Sequence, residues 1–102
     1  MQDKILRKFF LGFIQIHILH HGKIEAFYGS WMRDELIEHG YDISPGTLYP
    51  ILKTMTKDGL LEKEERNVKG KIRKYYKTTE LGLDVLDNAK AKAYELFHEL
   101  KE

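Results

Sequence analysis

A chain of 102 residues fits one domain with a modest hydrophobic core. Hydrophobic residues at 42% and charged residues at 32% describe a folded, soluble protein, and the absence of cysteine excludes a disulfide scaffold, a cysteine-based zinc site and a thiol nucleophile, while fitting a reducing cytoplasm. The net charge of +1 is uninformative, but residues 66–77 hold six Lys or Arg and no acid, leaving eleven basic against sixteen acidic groups elsewhere. A local basic patch on an otherwise acidic chain has a phosphate backbone as its natural partner.

Residues 3 to about 20 read as a first helix, with Asp3 placed to cap its start and Gly22 its end. Its apolar residues, from Ile5 and Leu6 through Phe9, Phe10 and Phe13 to Leu19, cover so much of the circumference that it must be buried on more than one side. Gln15 and His17 interrupt that run, which is shorter than the ~20 apolar residues a membrane span requires. No small-residue cleavage site follows, so neither membrane insertion nor export is expected.

Lys23 to Phe27 read as a connector, and a second helix is expected from Tyr28 or Gly29 to about His39, with Trp31, Met32, Leu36 and Ile37 as its apolar stripe. Gly40 stands where helices commonly stop. A third helix, 45–58, opens on Ser44-Pro45. The serine hydroxyl suits an N-cap and proline suits the first helical position, where no N–H is needed. Leu48, Ile51, Leu52 and Met55 give its inward face, and Gly59 ends it.

Leu60–Arg66 and Ile72–Thr78 read as a two-stranded hairpin around Asn67–Lys71, with Gly70 able to take positive φ. Glu62, Glu64 and Glu65 on the first strand oppose Arg73, Lys74 and Lys77 on the second, which predicts cross-strand charge pairs. Thr79 then caps a long helix, 80–101, whose Leu86, Ala89, Ala93, Leu96 and Leu100 recur at coiled-coil spacing, with Tyr94 and Phe97 widening the seam.

Three helices, a basic hairpin and a long helix define the expected fold class. It is mainly α with a two-stranded β-hairpin, a winged helix-turn-helix (1–79) followed by a C-terminal dimerisation helix (80–102) in one structural domain. In such a fold helix 45–58 is sized for the major groove and the wing 66–77 for the neighbouring backbone or minor groove. The candidate DNA contacts are Ser44 and Thr47 as short donors, Tyr49 through its hydroxyl, Lys53 to backbone or guanine, and Lys69, Lys71 and Arg73 on the wing. The lesser alternatives are that Ser44 is a cap alone and that Tyr49 packs into the hairpin junction. Adjacent strand residues point to opposite faces, so one of Arg73 and Lys74 is expected toward DNA, and Arg73 is preferred.

The sequence resembles the PadR family of transcriptional regulators in Gly46-Thr47-Leu48-Tyr49-Pro50-Ile51-Leu52, Asp58-Gly59-Leu60-Leu61, Gly70, Arg73-Lys74-Tyr75-Tyr76, Thr79 and Gly82. Phe27-Tyr28-Gly29-Ser30-Trp31 departs from it, standing where members often carry an H-G-Y-like run. The resemblance implies a cytoplasmic bacterial or archaeal repressor that binds double-stranded operator DNA as a homodimer, in some members released by a small aromatic ligand. It also implies that the last helix packs on the partner's first. The expected dimer interface is therefore Phe9, Phe13, Leu86, Ala89, Ala93, Leu96, Phe97 and Leu100, with Trp31 the one candidate for ligand binding.

No cofactor is expected. His17 and His21 share a helical face and His20 adjoins them, but no H-E-x-x-H glutamate and no third ligand accompany them, so they read as surface or cap histidines and no metal is expected. A winged-helix protein-interaction module is the competing class, and the acid-free basic wing speaks against it. An enzyme is disfavoured because the sequence has no cysteine, no Gly-rich phosphate loop and no paired-carboxylate arrangement in an evident pocket.

Overall fold

The computed structural model describes residues 2–101, with side chains from Lys4 onward. The elements are α1 (Gln2–Ile24), β1 (Phe27–Tyr28), α2 (Gly29–Glu38), α3 (Pro45–Lys57), β2 (Leu61–Val68), β3 (Lys71–Thr78) and α4 (Glu80–Leu100). The cap expected of Asp3 lies outside the described side chains. Among the described residues, no helix is long and apolar enough to cross a membrane.

The core forms where the inward stripes of the first three helices meet. Ile14, Ile18 and Leu19 from α1, Met32 and Leu36 from α2, and Leu48, Leu52 and Met55 from α3 are all buried. Phe27, Leu61, Tyr76 and Leu86 close it. Each fully buried aliphatic side chain of this kind stabilises the fold by about 1.5–3 kcal/mol before entropy is counted.

Glycines punctuate the helix-turn-helix by a specific geometry. After α2, Gly40 takes φ +92°, the Gly40 N–H donates to the Ile37 carbonyl and the Tyr41 N–H to the Leu36 carbonyl. The same pair of bonds recurs after α3, where Gly59 at φ +82° donates to Thr56 and Leu60 donates to Met55. Both ends are Schellman closures, which satisfy carbonyls a helix would otherwise leave bare. The turn into α3 is braced by Arg33, whose Nε donates to the carbonyl of buried Ile43 at 2.9 Å.

Several expectations are corrected. Helix α1 runs one turn past the predicted stop, because Gly22 serves close packing rather than termination. A Cβ there would lie 2.5 Å from Thr78 Oγ1, which itself donates to the Leu19 carbonyl at 2.8 Å. The stretch read as a connector contains β1, which pairs antiparallel with β3 through Phe27↔Tyr76 and Tyr28↔Tyr75. The hairpin is thus part of a three-stranded sheet in the order β1-β3-β2. Its turn is also tighter than expected. Val68 pairs with Lys71, leaving only Lys69 (φ +54°) and Gly70 (φ +84°) as a type I′ turn, with Asn67 Oδ1 accepting from the Gly70 N–H at 2.9 Å.

The hairpin register sets Glu62 opposite Lys77 and Glu65 opposite Lys74, yet among the described residues the hairpin's one ion pair is Arg66–Glu64 at 3.4 Å, within a strand. Arg66 and Arg73 face each other, and each settles on a tyrosine instead, Arg66 over Tyr75 and Arg73 over Tyr28, both at 4.2 Å from the ring centroid.

Helix α4 starts on the cap expected of Thr79, whose Oγ1 accepts from the Gly82 N–H at 3.0 Å and donates to the Gly59 carbonyl. A Cβ on Gly82 would overlap the Leu60 carbonyl oxygen, so only glycine lets α4 cross the end of α3 at this distance. We therefore expect Gly82→Ala to destabilise the protein by about 1–3 kcal/mol, as overpacking against backbone does. Thr79→Ala should cost about 1–2 kcal/mol by removing the cap. Thermal melts should show both, at about 4–8 °C per kcal/mol for a domain of this size.

Candidate nucleic-acid interface

An open groove of about 860 Å³ lies between α3 and the hairpin. Helix α3 contributes Tyr49, Lys53, Thr56 and Lys57, and the hairpin contributes Lys63, Ile72, Arg73, Lys74 and Tyr76. Five cations and no acid line it. The spacing explains the helical side: Lys53 and Lys57 are one turn apart and so project from one face of α3, opposite buried Leu48, Leu52 and Met55.

The strand side follows from alternation. Lys63, Tyr76 and Lys74 share a face of the sheet, since Lys63 pairs with Tyr76 and Lys74 lies two residues before it. Buried Tyr76 anchors that face, and burial together with the nearby Tyr49 pushes its phenol pKa up, so it stays neutral. Arg73 points to the opposite face, as strand geometry demands, but it folds over Tyr28 and reaches the groove's rim from the β1 side. Arg73 and Lys74 therefore both border the groove, from opposite faces of β3.

The other expected contacts are placed differently. Tyr49 is 46% exposed, and its ring closes on Gly29, leaving no room for a Cβ there. The tyrosine thus packs, ring and hydroxyl together, over the start of α2 at the edge of the groove. Ser44 and Thr47 lie at the other end of α3, in a separate cleft of about 660 Å³ shared with Arg7 and Phe10 of α1. Ser44 occupies the N-cap position without accepting from a backbone N–H, and its hydroxyl instead donates to Thr47 Oγ1 at 3.3 Å. Thr47 Oγ1 also accepts from Arg7 at 3.1 Å. Lys69 and Lys71 are exposed around the hairpin turn.

Sequence reasoning passed over Lys57 and Lys63. The first was legible from its i+4 relation to Lys53, whereas the second was masked by its acidic neighbours on β2.

Two of the remaining expectations change. Leu86 is 2% exposed within one chain, so it belongs to the core and not to an open seam. Trp31 is 40% exposed with its ring edge-on to His21, outside the core where the helical stripe placed it. In contrast, Phe9 (62%), Phe13 (47%), Leu96 (51%), Phe97 (60%) and Leu100 (72%) are open, as is Ala93, while Ala89 is half-buried.

Three helices, a basic β-wing and a groove lined by cations define a winged helix-turn-helix protein. The sequence profile described as the "Transcriptional regulator PadR-like family" matches residues 18–88, and the chain belongs to that family of transcriptional regulators. It is 40% identical over 95 residues to "Transcriptional regulator Rv3488" of Mycobacterium tuberculosis, covering 93% of this chain and 89% of that one. Among solved structures it is similar to a PadR family transcriptional regulator from Eggerthella lenta, with TM-score 0.78 and 32% identity over 97% of this chain and 91% of that one. A PadR-like regulator from Bacillus cereus superposes with TM-score 0.84 and 29% identity, over 92% of this chain and 93% of the other.

Because Ser44 makes no cap bond to the backbone, Ser44→Ala should cost less than about 0.5 kcal/mol, below the range usual for removing an N-cap. A thermal melt of the variant beside Thr79→Ala checks this, with the Ser44 variant melting close to the parent.

Proposed function

We propose that the protein binds double-stranded operator DNA as a homodimer and represses transcription, with α3 in the major groove and the β2–β3 wing on the adjoining backbone or minor groove. The observation that carries this reading is the groove between α3 and the wing, where five cations meet no acid. A helix fits the major groove, and cations flanking it are placed to meet phosphates on either side. Lys53, Lys57, Lys63 and Lys74 are positioning contacts in this reading, Arg73 joins them from the Tyr28 edge, and Lys69 and Lys71 carry the wing tip along the backbone. Tyr49 offers its hydroxyl, and Ser44 and Thr47 sit at the leading end of α3, where short donors reach a phosphate or a base edge.

Dimerisation is supported by two apolar surfaces that one chain leaves open. The first half of α1 exposes Ile5, Leu6, Phe9, Phe10 and Phe13, and the last part of α4, from Lys90 onward, has no buried residue. Packing α4 of each chain against α1 of the other would cover Phe9, Phe13, Ala93, Leu96, Phe97 and Leu100, with Ala89 at the edge. A small aromatic effector, on the same reading, would lie between the aromatic rings of this seam.

The decisive test is the salt dependence of binding to DNA fragments selected from genomic DNA. Affinity should fall steeply with added salt. Lys53→Ala or Lys74→Ala should flatten the log–log slope by about 1 for each phosphate left without its cation, or about 2 for a dimer. Slopes unchanged by both substitutions would reject the groove as the DNA-binding surface.

A further inference from the structure

The fold supplies what the sequence withheld from the histidines of α1, a third imidazole. His17 and His21 stand four residues apart on one face of α1, and His39, at the C-cap of α2, is brought against them. One ring nitrogen from each of the three lies within 4.8 Å of the others. Glu35, one turn before His39 on α2, adds a carboxylate whose Oε2 is 3.3 Å from His39 Nε2 and 4.0 Å from His21 Nε2. We propose that His17, His21, His39 and Glu35 form a Zn²⁺ site that clips α1 to the end of α2, just ahead of the helix-turn-helix turn.

Three imidazoles and a carboxylate are the donor set of a tetrahedral zinc site. Zinc–nitrogen bonds of about 2.0–2.1 Å place ligand nitrogens about 3.4 Å apart, so side-chain rotation of about 1 Å closes the cluster. Among the described residues, these rings make no hydrogen bond to one another or to the backbone; His17 stacks on His21 with centroids 6.4 Å apart, and His39 lies tilted by 34° against His17 at 4.7 Å. The site stands apart from the cationic groove and holds whether or not that groove binds DNA.

The experiment uses tag-free full-length protein, stripped with chelator and titrated calorimetrically with ZnCl₂ in a non-coordinating buffer. We expect one zinc per chain and a higher melting temperature in its presence. His39→Gln should weaken binding at least ten-fold, and Glu35→Gln should weaken it measurably, whereas His98→Gln, on α4, should leave it unchanged. His39 is 46% exposed, so its substitution leaves the core intact, and a melt of the metal-free variant verifies that it is folded. Co²⁺ in place of Zn²⁺ should give the visible bands of a tetrahedral nitrogen–oxygen site, and His39→Gln should abolish them. No binding by the parent protein, or binding equal in parent and His39→Gln, would overturn the proposal.

Discussion

At Thr78 and Thr79 four elements meet within two residues. The Thr78 hydroxyl donates to the Leu19 carbonyl of α1, while Thr79 caps α4 and donates to the Gly59 carbonyl at the end of α3. The Thr79 N–H also donates to the Leu60 carbonyl, the group that excludes any side chain at Gly82. Buried polar groups that bond in this way are costly to leave unpaired. The junction thus locks β3, α3 and α4 to α1. Whatever α4 docks against, the orientation of α3 follows from it, because one short segment of chain holds both.

That locking explains the rest of the molecule's shape. The core is small, and once Ile14, Ile18 and Leu19 have filled it, α1 has an apolar half to spare. Helix α4 likewise gives Gly82 and Leu86 to the core and then leaves it, carrying Leu96, Phe97 and Leu100 into the open. Surplus apolar surface of this extent on a small domain is what the proposed dimer seam would cover. The cationic groove is built on the other elements, so the surface that would join two chains and the surface that would read DNA do not compete for residues.

Much of this was legible in the sequence where local chemistry decides the outcome. Helices α2 and α3, their glycine stops, the Thr79 cap and the acid-free basic wing all follow from spacing and turn residues. What stayed hidden depends on contacts between distant segments. A strand of two residues has no periodicity to detect, and Phe27–Tyr28 is a strand only because β3 lies beside it. Gly22 resembles a helix stop until Thr78 is seen against it. Leu86 belongs to the apolar repeat of α4, and the repeat alone does not say where the core ends. His39 is eighteen residues from His21 in the chain and reaches it only through the packing of α2 on α1. Arg73 and Lys74 obey strand alternation, yet a stack on Tyr28 brings both to one groove.

The central claim, a two-fold pair of recognition helices held by the α1–α4 seam, is tested most directly by hydroxyl-radical footprinting on a selected genomic fragment. The account predicts two protected half-sites related by a dyad, their centres one helical turn or a multiple of it apart, about 10 base pairs or twice that. A single protected half-site without a symmetric mate would contradict it.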